Sequence, residues 1–171
     1  MKNLKIKNNN INFSISVIFL SIALILGYIE ALFPVNIGII GIKIGLPNIV
    51  TILAIKTVGT KKAFIINVLR LLILGMLFSN MVRFAISVAG FVISFIVMVI
   101  TIEMLDFDII IASILGGVFH NIGQVICVSL ITSNLELYKI IYIYIIVGII
   151  SGMFVGIVSK ILYNALKKVY K

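Results

Sequence analysis

The side chains in this sequence that could do chemistry are few. His120 is the only histidine, and it stands in "SILGGVFHNIGQV" (113–125) with Asn121 beside it and Gln124 four positions on. On a helix His120 and Gln124 share a face, with Gly116 one turn before. Imidazole and amide groups at that spacing can hold a ligand by hydrogen bonds. The pair Gly116 and Gly117 lets a flat molecule or a second backbone come close. The competing reading is a hydrogen-bond network that locks helices together. A single histidine without other His, Cys or clustered carboxylate ligands makes a poor metal site, and no second acid on its face completes a proton relay. Neither a metal nor a cofactor is expected.

Arg70 lies in an apolar run with Asn67 three residues before it on the same helical face. A guanidinium does not shed its proton, so it needs a partner or water. Two readings stand open: an internal ion pair with Glu30, or the binding of an anionic or carbonyl-bearing ligand. Glu30 precedes "ALFPVNIGIIGIKIGLPN" (31–48), a Gly- and Pro-containing connection that holds Lys43 and Asn48. Irregular backbone of this kind is tolerated at membrane depth where it lines a sheltered cavity. It could cover an outward-facing pocket, or be a plain loop with a snorkelling lysine. Glu103, Asp106 and Asp108 form the acidic turn "EMLDFD" (103–108), expected as a solvated loop because nothing else joins them to chelate a divalent ion. No phosphate-cradling glycine loop and no G-x-S-x-G elbow is present. Catalysis by this chain alone is not expected.

The elements that must carry these residues follow from composition. Of 171 residues, 63% are hydrophobic and 11% charged, against about 45–50% and about 25% in an average soluble domain; the mean hydropathy is +1.33. Apolar stretches of roughly 17–25 residues, enough to cross a bilayer as helix, recur along the chain. Division at charges, Gly/Pro and polar clusters gives spans near 13–33, 44–59, 63–80, 84–103, 109–132 and 140–163. The expected architecture is all-α: a six-transmembrane-helix bundle forming a single integral membrane domain over 1–171. The span at 44–59 is short and opens with "GLPNIV", so a tilted or partly re-entrant course is open there. The first span lacks a small-x-small cleavage site before a polar mature domain and is expected to remain. In such a bundle a strongly polar side chain at mid-membrane costs about 2.5–3.5 kcal/mol, so Arg70, His120 and Gln124 are expected to face inward, toward a shared chamber.

Six crossings put both termini on one side. That side would carry Lys2, Lys5, Lys7, Lys56, Lys61, Lys62, Lys160, Lys167, Lys168 and Lys171, and the other only Lys43, Arg83 and Lys139. The bias argues for cytoplasmic termini in a multi-pass protein of the cell membrane. The net charge of +9 then reports topology and attraction to anionic lipid. It is spread over short loops and tails, so nucleic acid is not an expected partner. Two stripes of small residues have four-residue spacing: Gly148, Gly152 and Gly156, expected to pack within the chain, and Ala23, Gly27 and Ala31, left open to a partner helix. Cys127, the only cysteine, is expected as a small buried hydrophobe.

Taken together, "EALFP" (30–34), "GIKIGLPNIVTILAI" (41–55), the in-span Arg70 and "GGVFHNIGQ" (116–124) resemble the bacterial Gx transporter family, also labelled heptaprenyl diphosphate synthase component I. The likeness runs from about Glu30 to the C-terminus; Pro47 stands where that family tends to have alanine. The resemblance implies a six-helix protein similar to the substrate-binding S-components of energy-coupling factor transporters. Such subunits capture a micronutrient outside and work with a transmembrane coupling subunit and two ATPase subunits. It also implies a docking role for the Ala23, Gly27, Ala31 face. The small-molecule ligand would be held by Glu30, Lys43, Asn48, Arg70, His120, Asn121 and Gln124. The synthase label implies instead a non-catalytic accessory subunit for isoprenoid synthesis.

Overall fold

Apolar runs without internal proline become helices here because a helix satisfies its own backbone hydrogen bonds. The computed structural model describes residues 9–32, 35–37, 40–42 and 44–169. Helix α1 covers Asn9–Leu32 and stops two residues before Pro34. Strands β1 (Val35–Ile37) and β2 (Ile40–Ile42) pair antiparallel, with Val35 opposite Ile42. Helix α2, Asn48–Thr57, begins directly after Pro47, a residue suited to helix starts. Gly59 takes φ 95°, a conformation that glycine adopts cheaply, and the chain turns there into α3, Thr60–Phe78.

Asn80 caps α4 (Met81–Val99), its side chain accepting from the Arg83 amide, and a π-helical turn, Ile100–Met104, ends that helix. Asp108 caps α5 (Ile109–Thr132) by accepting from the Ile110 amide. A 3-10 turn, Leu135–Ile140, leads into α6, Ile141–Val169. The structure is helical throughout, apart from this one hairpin, among the described residues.

Six α-helices are present among the described residues. Four helical segments are long and apolar enough to cross a membrane: Asn10–Leu32, Met81–Met104, Ile109–Thr132 and Leu135–Val169. The span expected over 44–59 shrinks to the ten residues of α2, about 15 Å of helix against a hydrocarbon core of about 30 Å. Its apolar signal included Ile44 to Pro47, which lie outside the helix. Helix α3 has 19 residues and contains Lys61, Lys62 and Arg70. The Tyr28 and Phe78 rings, centroids 5.1 Å apart, join the C-terminal ends of α1 and α3. At the opposite end Thr60 donates to Glu103 (2.9 Å) and Lys160 to Asp108 (2.8 Å). α1 therefore starts at the end of the bundle where α6 finishes.

The glycine stripe of α6 packs inside the chain. A Cβ on Gly152 would stand 2.7 Å from Ile114 Cα, and one on Gly148 2.7 Å from Val118 Cα. With no hydrophobic force between helices in lipid, such backbone approach is what binds them. Helix α4 meets α5 similarly: a Cβ on Gly123 would stand 3.0 Å from the Ala89 carbonyl oxygen and 3.1 Å from Gly90 Cα. Helix α2 is the buried centre, with Ile49 to Thr57 all buried.

Candidate functional site

A cavity opens between the N-terminus of α2 and the middles of α5 and α6. Asn48 reaches it as the first residue of α2, beside Gly45 in the preceding loop. Ser113, Gly117, His120 and Asn121 line it from one face of α5, and Ser151, Gly152 and Val155 from α6. The helical spacing 113, 117, 120, 121 explains why these α5 residues meet. Asn121, buried, donates through Nδ2 to the Tyr144 carbonyl at 2.9 Å, which spends its amide nitrogen on the α5–α6 contact. Ser113 Oγ is buried and makes no hydrogen bond within the protein. Hydroxyls of this kind normally bond back to the preceding helical turn, so an unused one in a polar hollow has capacity for a guest. The cavity measures about 10 Å³, room for roughly one water, whereas pockets for small-molecule ligands run to about 300–1,000 Å³. A larger guest therefore requires the loop that carries Gly45 and Asn48 to move.

Glu30 controls that loop: its Oε1 accepts from the Gly45 amide. Gly45 has φ 79°, so the amide is presented by a backbone conformation that side-chain-bearing residues adopt at a cost. The residues expected as one set are thus divided. Asn48, His120 and Asn121 line the cavity, and Glu30 holds its rim. Lys43 lies outside the described residues. Gln124, buried with Oε1 unbonded, sits one turn farther on, its Cγ against Gly90 of α4, and is not part of the lining.

Arg70 is not among the residues that line this cavity. It is 8% exposed, with Nε making no hydrogen bond, and its Cδ lies 3.8 Å from the place of a Cβ on Gly27. Glu30 is near enough for electrostatic attraction, yet no direct ion pair joins the two; the pairs found among the described residues are Lys139–Glu136 and Lys160–Asp108. Asn67, on the Arg70 face, accepts from Thr51 Oγ1 at 2.9 Å and donates to the Ala63 carbonyl, so it ties α2 to α3.

The face expected to meet a partner helix is used largely within the chain. Ala23 is buried, and a Cβ on Gly27 would strike Leu74 Cδ1 at 2.4 Å; only Ala31 is exposed. The small side chains of α1 let α3 and Pro47 approach. Reasoning from sequence missed Ser113 and Ser151. For Ser113 a signal existed, since it lies one turn before Gly117 and two before His120. Among the described residues no three His, Cys, Asp or Glu side chains are placed to hold a metal ion together.

No curated protein and no solved structure matches the chain. One family does, the one described as heptaprenyl diphosphate synthase component I, and it matches residues 19–162. That span takes in the cavity, its Glu30 anchor and Arg70, so the chain belongs to the heptaprenyl diphosphate synthase component I family.

Proposed function

We propose that this chain is a membrane-embedded binding subunit that captures a small molecule from the outer side, as an S-component does for an ATP-driven uptake system. The observation that carries the reading is the buried, unbonded Ser113 hydroxyl in a hollow edged by Asn48, His120, Asn121 and Ser151. Residues of this kind are costly in lipid unless they meet one another or a guest. In this reading the ligand enters under the 35–42 hairpin, and release of Gly45 from Glu30 lets the loop swing. Arg70 attracts an anionic or carbonyl-bearing end of the ligand as the loop opens, and Lys43 and Gln124 add polar contacts. The chain crosses the cell membrane several times with both termini in the cytoplasm, in line with its Lys/Arg distribution. It hydrolyses no ATP itself; a transmembrane coupling subunit and two ATPase subunits supply the energy.

A second reading is favoured by the family description: a non-catalytic accessory subunit of heptaprenyl diphosphate synthase. The hydrogen bonds of Asn67 and Asn121, which lock helices, suit it equally well. Extraction of the tagged protein in mild detergent from its own membrane separates the two. Copurifying ATPase and coupling subunits support uptake. A copurifying soluble prenyl synthase without them overturns uptake in favour of the accessory role.

A further inference from the structure

Two groups compete for the Glu30 carboxylate. The Gly45 amide donates to its Oε1. Arg70 attracts it electrostatically, yet the guanidinium is buried, its Nε makes no hydrogen bond, and no ion pair joins it to Glu30. A guanidinium has five N–H donors and keeps its charge, so burial without a direct partner is costly and a nearby carboxylate is the obvious relief. Both claimants meet one face of α1. Gly27 and Glu30 are three positions apart on that helix, and the place of a Cβ on Gly27 lies 3.8 Å from Arg70 Cδ and 3.6 Å from Pro47 Cγ.

The hold on Gly45 is passed on to the cavity. The Asn48 amide donates to the Gly45 carbonyl at 2.9 Å, and the Ile49 amide to the Leu46 carbonyl at 3.1 Å, so residues 45–48 form one turn with the start of α2. That turn brings Gly45 and Asn48 to the cavity wall. Gly45 has φ 79°, and as a glycine it can exchange that conformation for another at little cost. Whatever holds the Gly45 amide therefore sets where Asn48 stands.

We propose that Glu30 is a two-position latch, its carboxylate on the Gly45 amide when the 44–47 loop is shut and on the Arg70 guanidinium when the loop is free. The move exchanges one charge-assisted hydrogen bond for another, so the device can be tipped by a modest bias. It also gives the buried Arg70 a partner in the free state. The inference deepens the capture reading and rests on it for the loop being the ligand's entrance. An anionic end of the ligand, drawn to Arg70, competes with Glu30 for the guanidinium, returns the carboxylate to Gly45 and shuts the loop. A neutral ligand lacks that trigger, so the substrate class is an organic anion.

The test uses the full chain, purified in detergent and exhaustively dialysed, in a Cys127→Ala background with Ser113→Cys as a reporter inside the cavity. The probe is methyl methanethiosulfonate, a small neutral thiol reagent. Arg70→Met should slow labelling about fivefold while Glu30 is present, and change it less than about twofold in Glu30→Ala, where no carboxylate is left to move. Arg70→Lys, which keeps a cation, should recover part of the rate. Labelling of Arg70→Met as fast as the parent or faster, or slowed equally with and without Glu30, overturns the proposal. Should Arg70→Met not accumulate, carbodiimide treatment of Arg70→Lys replaces it: an amide bond between Glu30 and the introduced lysine is expected in the peptide digest, and its absence overturns the latch. Failure of the capture reading shows separately, as a wild-type chain that carries no small molecule in native mass spectrometry, and the labelling pattern still decides the latch.

Discussion

Replacing Gly152 by alanine adds one methyl group at the closest approach of α5 and α6. Its Cβ would stand 2.7 Å from Ile114 Cα and 2.7 Å from the Ser113 carbonyl, about 1 Å inside the usual carbon contact distance. Both obstacles are backbone, so the helices must separate. Overpacking of this kind costs about 1–3 kcal/mol, more than the roughly 0.8–1 kcal/mol of helix propensity gained. Gly75→Ala is the control: its Cβ meets Phe84 Cδ2 at 2.4 Å, a shorter contact, but with a side chain that can rotate away. Thermal unfolding of both variants in one detergent reads the difference. Gly152→Ala should melt below wild type, and Gly75→Ala above Gly152→Ala. A Gly152→Ala protein as stable as wild type, or less affected than Gly75→Ala, would refute the backbone-contact account of the bundle.

Other outcomes follow from the same geometry. Asn121→Ala, which removes the bond to the Tyr144 carbonyl, should cost about 0.6 kcal/mol and at most roughly 1.7, the range for hydrogen bonds between membrane helices, in a reversible unfolding titration. Arg70→Met should leave stability unchanged or raised, because the guanidinium lacks a direct ion-pair partner and apolar replacement of a buried charge is often neutral or favourable; a large loss of stability would mean that Arg70 is paired. The Lys160 ammonium and the Ile110 amide hold the Asp108 carboxyl below the usual carboxylate range. Its contribution is therefore complete above the unfolded value of about 3.9 and is lost as pH falls through the lower folded value. Unfolding curves from neutral to acid pH should show this loss, and Lys160→Met should flatten it.

Much of the fold was legible because apolar length and flanking caps agree. α5 runs over Ile109–Thr132 as its flanks indicated, since Asp108 supplies a cap at one end and Ser133 turns left-handed at the other. α2 was misjudged in length because Ile44 to Pro47 are apolar without being helical, and hydropathy does not see the turn that Gly45 and Pro47 impose. In the site, Asn48, His120 and Asn121 could be chosen because polar groups in lipid need partners. That Arg70 does not line the same cavity as His120 depends on how α3 packs in the bundle, which no local pattern encodes. Ser113 escaped notice because most membrane serines and threonines bond their own helix, as Ser16, Ser87 and Thr101 do. Only the packed structure reveals that Ser113 does not. The Ala23 and Gly27 face read as a docking stripe because small residues look the same whether the neighbouring helix belongs to this chain or to another.

Native mass spectrometry of the protein released gently from its own membrane tests the central claim most directly. The account predicts a bound small molecule on the wild-type chain, lost in Asn48→Leu and weakened in Ser113→Ala, both at wild-type thermal stability. A wild-type chain that emerges bare, or a bound mass that survives both substitutions unchanged, would contradict it.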